Sequence, residues 1–181
     1  MNRVIRIADR PAVPWKNGGG TTREIAVFPP DAGMDDFVWR LSMARVEQAG
    51  AFSAFDGVDR VLAVLEGRLF LSGAGLDVAL DDGSAPFAFD GGAPIAGEPL
   101  AGPVLDLNAM ARHGRCGVAM ERLAAGAEVA GGDAIFLLAL EPQRIGADEL
   151  GRLDVLSVAD PVTAGGAALL VRFTVEGSTR R

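Results

Sequence analysis

The chain has 181 residues, which suits one large domain or two small, closely packed ones, and its 49% hydrophobic content supports a sizeable core. Twenty-four acidic against 17 basic residues give a net charge of −7, which repels nucleic acid and anionic membranes unless positive charge is locally concentrated. One histidine, His113, excludes a multi-histidine metal site, and one cysteine, Cys116, excludes an internal disulfide.

Short apolar runs of β character, punctuated by Gly, Pro and Asp, recur along the chain, while helix-length amphipathic patterns are scarce. The fold class expected is therefore mostly β, a sandwich or barrel. Strands are predicted at residues 4–7, 22–28, 37–46, 61–65, 68–71, 78–80 and 87–89, then at 104–110, 117–122, 134–140, 154–158 and 168–175. Glu66-Gly67 and Asp82-Gly83 read as tight turns. Residues 147–153 leave room for one or two helical turns, and the Gly/Pro/Ala-rich stretch 91–103 is the nearest thing to a domain boundary. The N-terminus has no apolar signal core, and no span approaches the roughly 20 apolar residues of a membrane helix. A cytoplasmic location is the expectation. Positive charge is nowhere concentrated: Lys16 is the single lysine, and the arginines stand apart except at Arg180-Arg181.

The run Trp15-Lys16-Asn17-Gly18-Gly19-Gly20-Thr21-Thr22-Arg23-Glu24-Ile25 is the most distinctive segment. Three successive glycines admit a close-approaching ligand or backbone, and Asn17, Thr21 and Thr22 would then sit beside exposed N–H donors. A glycine-rich turn into the next strand is the plainer reading. A phosphate loop is excluded, because Lys16 precedes the glycines, and a dinucleotide fingerprint is excluded, because the segment leads into a strand rather than a helix.

Alternation along strands adds geometry, since residues two apart share a face. Arg40 and Ser42 fall together, opposite Trp39, Leu41 and Met43; Asp106, Asn108 and Met110 fall together, opposite Leu105, Leu107 and Ala109. These small polar faces either meet solvent, as one side of an antiparallel sheet commonly does, or line a barrel mouth.

The blocks W-K-N-G-G-G-T-T-R-E-I, F-V-W-R-L-S-M-A-R-V, G-A-F-S-A-F-D-G-V-D-R and D-L-N-A-M occur in order from Trp15 to Met110, and together they resemble the HutD/Ves family. That resemblance implies a bicupin, two antiparallel β-barrel modules of the cupin (jelly-roll-like) type. We divide them at residues 1–103, with strand exchange allowed, and 104–181, packed as one unit. It also implies small-molecule binding, with formylglutamate or a related carboxylate metabolite as guest, and a regulatory role in histidine catabolism. Ves-type members are linked instead to stress or cold responses. A homodimer is allowed.

The cupin resemblance supplies a contrast. A metal-binding cupin carries H-x-H, three or four residues, E, six residues, then G, and counting back from Gly67 puts Arg60 at the glutamate and Ser53 and Phe55 at the histidines. None is a metal ligand, and a guanidinium in place of a carboxylate changes the expected guest from cation to anion. No metal or other cofactor is expected. The ligand-binding set is Asn17, Gly18, Gly19, Gly20, Thr21, Arg40, Ser42, Ser53, Arg60, Asp106 and Asn108, with Arg60 as the carboxylate anchor, unless a permanent salt bridge to Asp59, Asp106 or Glu66 occupies it.

Catalysis has weaker support. Ser53 lacks a nucleophile elbow, and a triad of Ser53, His113 and an aspartate has no diagnostic spacing. His113 reads as a surface-loop residue. Cys116 reads as a small buried hydrophobe rather than a thiol activated by neighbouring arginines. Asp106 could serve as a general base if the pocket raises its pKa, whereas pairing with an arginine would lower it. A cofactor-independent isomerase or hydrolase acting on a small acid, and a regulatory protein-interaction module, are the alternatives to a binding protein.

Overall fold

The computed structural model describes residues 1–177; Arg180-Arg181 lies outside them. Among the described residues seventeen strands and one short 3-10 turn (Ile7–Asp9) follow in order. The first nine are β1 (Arg3–Ile5), β2 (Val13–Pro14), β3 (Gly20–Phe28), β4 (Trp39–Val46), β5 (Gly50–Ala51), β6 (Val58–Gly73), β7 (Leu76–Asp81), β8 (Phe87–Asp90) and β9 (Ala96–Arg112). The remainder are β10 (Cys116–Leu123), β11 (Glu128–Val129), β12 (Ile135–Ala139), β13 (Gln143–Ile145), β14 (Asp148–Leu150), β15 (Val155–Ser157), β16 (Val162–Thr163) and β17 (Ala168–Val175). Among the described residues, no helix is long and apolar enough to cross a membrane.

An eight-stranded sheet follows the path β2-β3-β4-β9-β6-β7, with β5 on β9 and β8 on β6. A second sheet has the order β1-β15-β12-β17-β10, and the pairs β11/β16 and β13/β14 stand beside it. The two long strands β6 and β9 form the spine of the first sheet, paired antiparallel from Val58↔Arg112 to Ser72↔Ala96.

Two expectations change here. Glu66-Gly67 is not a hairpin turn but lies within β6, where the register against β9 shifts on either side of Glu66. Gly67 has φ +82°, and a Cβ there would sit 2.9 Å from the carbonyl oxygen of Pro103, so the dipeptide makes a bulge that bends the strand. A turn signal and a bulge signal share the same glycine chemistry, which is why residue type alone does not separate them. Residues 147–153 hold β14 rather than helical turns, because Gly146 at φ +59° closes a hairpin between β13 and β14. Asp82-Gly83 is a turn as expected, tied by Ser84 Oγ donating to Asp81 Oδ1 at 2.9 Å.

The strand paths do not close into barrels. The eight-stranded path has free ends at β2 and β7, and β2 is only two residues long and contains Pro14, which has no N–H to extend a ladder. The position 103/104 falls inside β9, which pairs with β6 on both sides of it. At the other end of the chain, β1 pairs with β15, so Arg3–Ile5 belongs to the sheet built from C-terminal strands.

The core lies between the sheets. Trp39, Leu41 and Met43 of β4, with Leu107, Ala109 and Ala111 of β9, pack against Phe136, Leu138, Leu169, Val171 and Phe173 of the second sheet. The Trp39 and Phe173 rings stack at 4.6 Å, and Phe136 meets Trp39 edge-on at 5.5 Å. The far face of the second sheet is filled by apolar side chains, with Leu137, Ala139 and Leu170 against Val129, Ile145, Leu150 and Val158. The buried polar rows lie on the other face of the first sheet.

Candidate functional site

That face curves around a cavity of about 780 Å³, a size usual for small-molecule sites. Its wall follows from alternation. With Trp39, Leu41 and Met43 committed to the core between the sheets, Arg40, Ser42, Ala44 and Val46 of β4 project into the cavity. Asp106, Asn108 and Met110 of β9 join them, as do Arg60 and Leu62 of β6 and Thr22 and Glu24 of β3. Register brings the rows together: Ser42 faces Asn108, Ala44 faces Asp106, and Arg60 faces Met110. The polar faces are thus not a wet exterior, since Ser42, Arg60, Asp106 and Asn108 are the buried polar residues, at 2%, 7%, 2% and 8% exposure.

Arg60 is the centre of the polar end. Its Nε donates to Asn108 Oδ1 at 3.4 Å and its Nη1 donates to the Ser53 carbonyl at 3.3 Å. It is the backbone carbonyl of Ser53 that meets the guanidinium. The rings of Phe89, Phe52 and Phe55 surround it, with centroids 5.0, 5.3 and 5.9 Å from Cζ. Three aromatic faces stabilise a desolvated cation without neutralising it.

None of the salt bridges considered from the sequence is present at Arg60. Asp59 meets His113 at 2.9 Å and Glu66 pairs with Arg152. Asp106 makes no direct ion pair with Arg60 among the described residues, although the two interact through space. Burial lowers the Arg60 pKa to about 10, partly offset by Asp106, which leaves the guanidinium charged at neutral pH. Burial pushes Asp106 up to about 7, with Arg60 holding it back. Of the two directions open from the sequence, the raising wins, because desolvation outweighs the arginine.

The remaining site residues divide. Asn17, Arg40, Ser42, Ser53, Arg60, Asp106 and Asn108 line the cavity; Gly18, Gly19, Gly20 and Thr21 do not. The glycine amides serve the loop itself: Gly18 N–H donates to the Trp15 carbonyl at 3.0 Å and Gly19 N–H to Asn17 Oδ1 at 3.0 Å. Gly20 lies so close to β4 that a Cβ would collide with the Arg45 carbonyl oxygen. The close approach inferred from the glycines is thus made by the chain's own backbone. Thr21 falls on the opposite face from Thr22 and Glu24.

The sequence reading missed the aromatic ring around Arg60, although Phe52 and Phe55 bracket Ser53 and Phe87 and Phe89 alternate on one strand. It also missed Arg10, Pro11, Trp15, Lys16 and Met34 at the mouth, and Glu24, whose Oε2 accepts from Arg40 Nε at 2.9 Å. Trp15 is held by its Nε1 donating to Thr22 Oγ1 at 2.8 Å. Cys116 and His113 lie where expected. Cys116 is buried in the core with its pKa raised to about 11 by burial, so the nearby arginines do not activate it. His113 is exposed beside Asp59.

A resident metal, which the cupin fold brings to mind, does not suit this donor set. The positions are held by Ser53, Phe55 and Arg60, and a buried guanidinium opposes a cation.

Comparisons with known proteins agree with this architecture. The HutD family model matches residues 7–177. An uncharacterized 21.2 kDa protein in the hutC 3' region of Pseudomonas putida is 39% identical over 109 residues, covering 59% of this chain and 56% of that protein. Protein Ves of Citrobacter koseri is 40% identical over 104 residues, covering 56% of this chain and 53% of its own. The matched stretch thus spans little more than half the length of these curated relatives. The structure of HutD from Pseudomonas fluorescens SBW25 in a formate condition superimposes with TM-score 0.88 at 27% identity, covering 98% of this chain and 100% of that one. Protein Ylba from E. coli, at 9% identity and TM-score 0.73 over 96% of this chain and 90% of its own, shares the fold alone. With the family match running through both sheets and the whole cavity wall, the chain belongs to the HutD family.

Proposed function

We propose that the cavity binds a small carboxylate metabolite without a metal, and that the protein regulates histidine catabolism through that guest, formylglutamate being the leading candidate. The observation that carries this reading is Arg60: a charged guanidinium almost wholly buried, ringed by three phenylalanines and, among the described residues, bonded only to neutral acceptors. A buried charge without a counter-ion in contact is costly, and a planar carboxylate matches the fork of N–H donors that remain. With Asn108 Oδ1 accepting from Arg60, the Asn108 amide nitrogen stays available as a donor, as does the Ser42 hydroxyl. The hutC-region relative supports the histidine-catabolic setting. In this reading the two sheets are two cupin modules, of which the first binds and the second, filled with apolar side chains, buttresses it.

A second reading, a cofactor-independent isomerase or hydrolase acting on a similar acid, is favoured by one observation: Asp106 has its pKa near neutrality inside the cavity, as a general base needs. Calorimetric titration with formylglutamate, glutarate and formate, with product analysis of every binding mixture, separates the two. Binding with the guest recovered intact supports the first reading. Turnover that Asp106→Asn abolishes supports the second, and absence of binding by all three acids removes both.

A further inference from the structure

The polar end of the cavity holds two buried charges of opposite sign that do not touch. Arg60 and Asp106 project from neighbouring strands on the same face, and Asn108, bonded to Arg60, stands between them along β9. Asp106 is 2% exposed, and no described side chain or backbone N–H donates to its carboxylate. No fully sealed polar side-chain atom lacks a partner among the described residues, so the carboxylate keeps its contact with the cavity.

The surrounding elements offer it little compensation. Opposite Asp106, β4 presents Ala44 and β6 presents Val64. The other charged groups on the cavity wall are Arg10 and Lys16 from the mouth loop, Glu24 on β3 and Arg40 on β4, and the last two are paired with each other. Arg60 is the one that acts on Asp106 through space.

Above pH 7, before a guest enters, the buried end is balanced, with a guanidinium and a carboxylate. A guest carboxylate on Arg60 adds a second anion within the same desolvated space, and an uncompensated buried charge is strongly unfavourable. Two carboxyl groups sharing such a site resolve the conflict by keeping one proton between them.

We infer that the cavity takes up its acidic guest together with a proton, which resides on the Asp106 carboxyl, so that the loaded site is again balanced and Asp106 becomes a hydrogen-bond donor to the guest. This rests on the carboxylate reading above and adds to it a positioning group and a pH dependence. The burial that raises Asp106 to about 7 works in the same direction, so the proton is gained near neutral pH and not only in acid. Because the loaded form holds one more proton than the free form, affinity is expected to fall by about tenfold per pH unit above pH 7 and to level off below it.

The test is calorimetric titration of the full chain with formylglutamate, and separately with formate, at pH 8 in phosphate, HEPES and Tris, whose ionisation enthalpies differ. The expected result is a heat that varies linearly with buffer ionisation enthalpy, with a slope of about one proton taken up per guest. Asp106→Asn should give buffer-independent heat and a flat affinity between pH 6 and 9. In the wild type, an infrared difference spectrum of loaded against free protein should gain the C=O band of a protonated carboxyl, which needs no variant to fold. Binding with buffer-independent heat overturns the inference and leaves the carboxylate reading standing. A C=O band that shifts when the formate is carbon-13 labelled places the proton on the guest and overturns the assignment to Asp106. Absence of binding by both acids overturns the carboxylate reading, and the inference with it.

Discussion

Arg60 and Asp106 are consecutive problems in desolvation. Arg60 opens the most apolar stretch of β6, where a charge has no reason to stay unless something satisfies it, and this much was legible from its neighbours Val61 to Leu65. What satisfies it was not legible. The phenylalanine ring, the Ser53 carbonyl and Asn108 come from three separate segments. Replacing Arg60 with Ala should lower affinity for the best carboxylate by about 1.5–3 kcal/mol, the worth of a charge-assisted contact. Arg60→Lys should recover little of it, since an ammonium cannot make two parallel bonds to one carboxylate. Calorimetry on variants with unchanged circular dichroism is the measurement, and wild-type affinity in either would take Arg60 out of the site.

At the scale of single elements, alternation on β4 and β9 foretold which residues share a face, and those rows form the cavity wall. It is a purely local rule, so no tertiary information was needed. The glycine run shows the opposite limit. Three glycines record that something comes close, but not whether it is a ligand or the chain itself, and here it is the backbone of β4. Gly20→Ala should therefore act on stability: forcing a methyl against the Arg45 carbonyl is expected to cost about 1–3 kcal/mol, the range for overpacking. Urea unfolding would report that loss, while formylglutamate affinity in the folded fraction should stay near wild type. A large affinity loss without destabilisation would return the glycines to the site.

The whole molecule is organised by the core shared between sheets, which gives the cavity strands an outer face to lean on. Trp39 sits at its centre, stacked on Phe173 and edge-on to Phe136. Trp39→Ala should cost about 3–5 kcal/mol, as aromatic truncations in cores do. Because Trp15 would then be the remaining tryptophan, its fluorescence reports the cavity loop while far-ultraviolet circular dichroism reports every strand. The two signals should melt together, since β1 is paired into the second sheet and the core joins both. Separate transitions would mean that the sheets are independent units.

By itself the sequence determined the β character, most strand positions, the sharing of polar faces and the family blocks, because these depend on residues within a few positions of one another. Only the tertiary structure decided that Glu66-Gly67 bends a strand instead of ending it, that the paths stay open, and that the polar face turns inward around a cavity. It alone decided that Arg60 and Asp106 share one desolvated space without touching. Each of these depends on how far-separated strands fall into register, and register is set by packing of the opposite face, which no local pattern encodes.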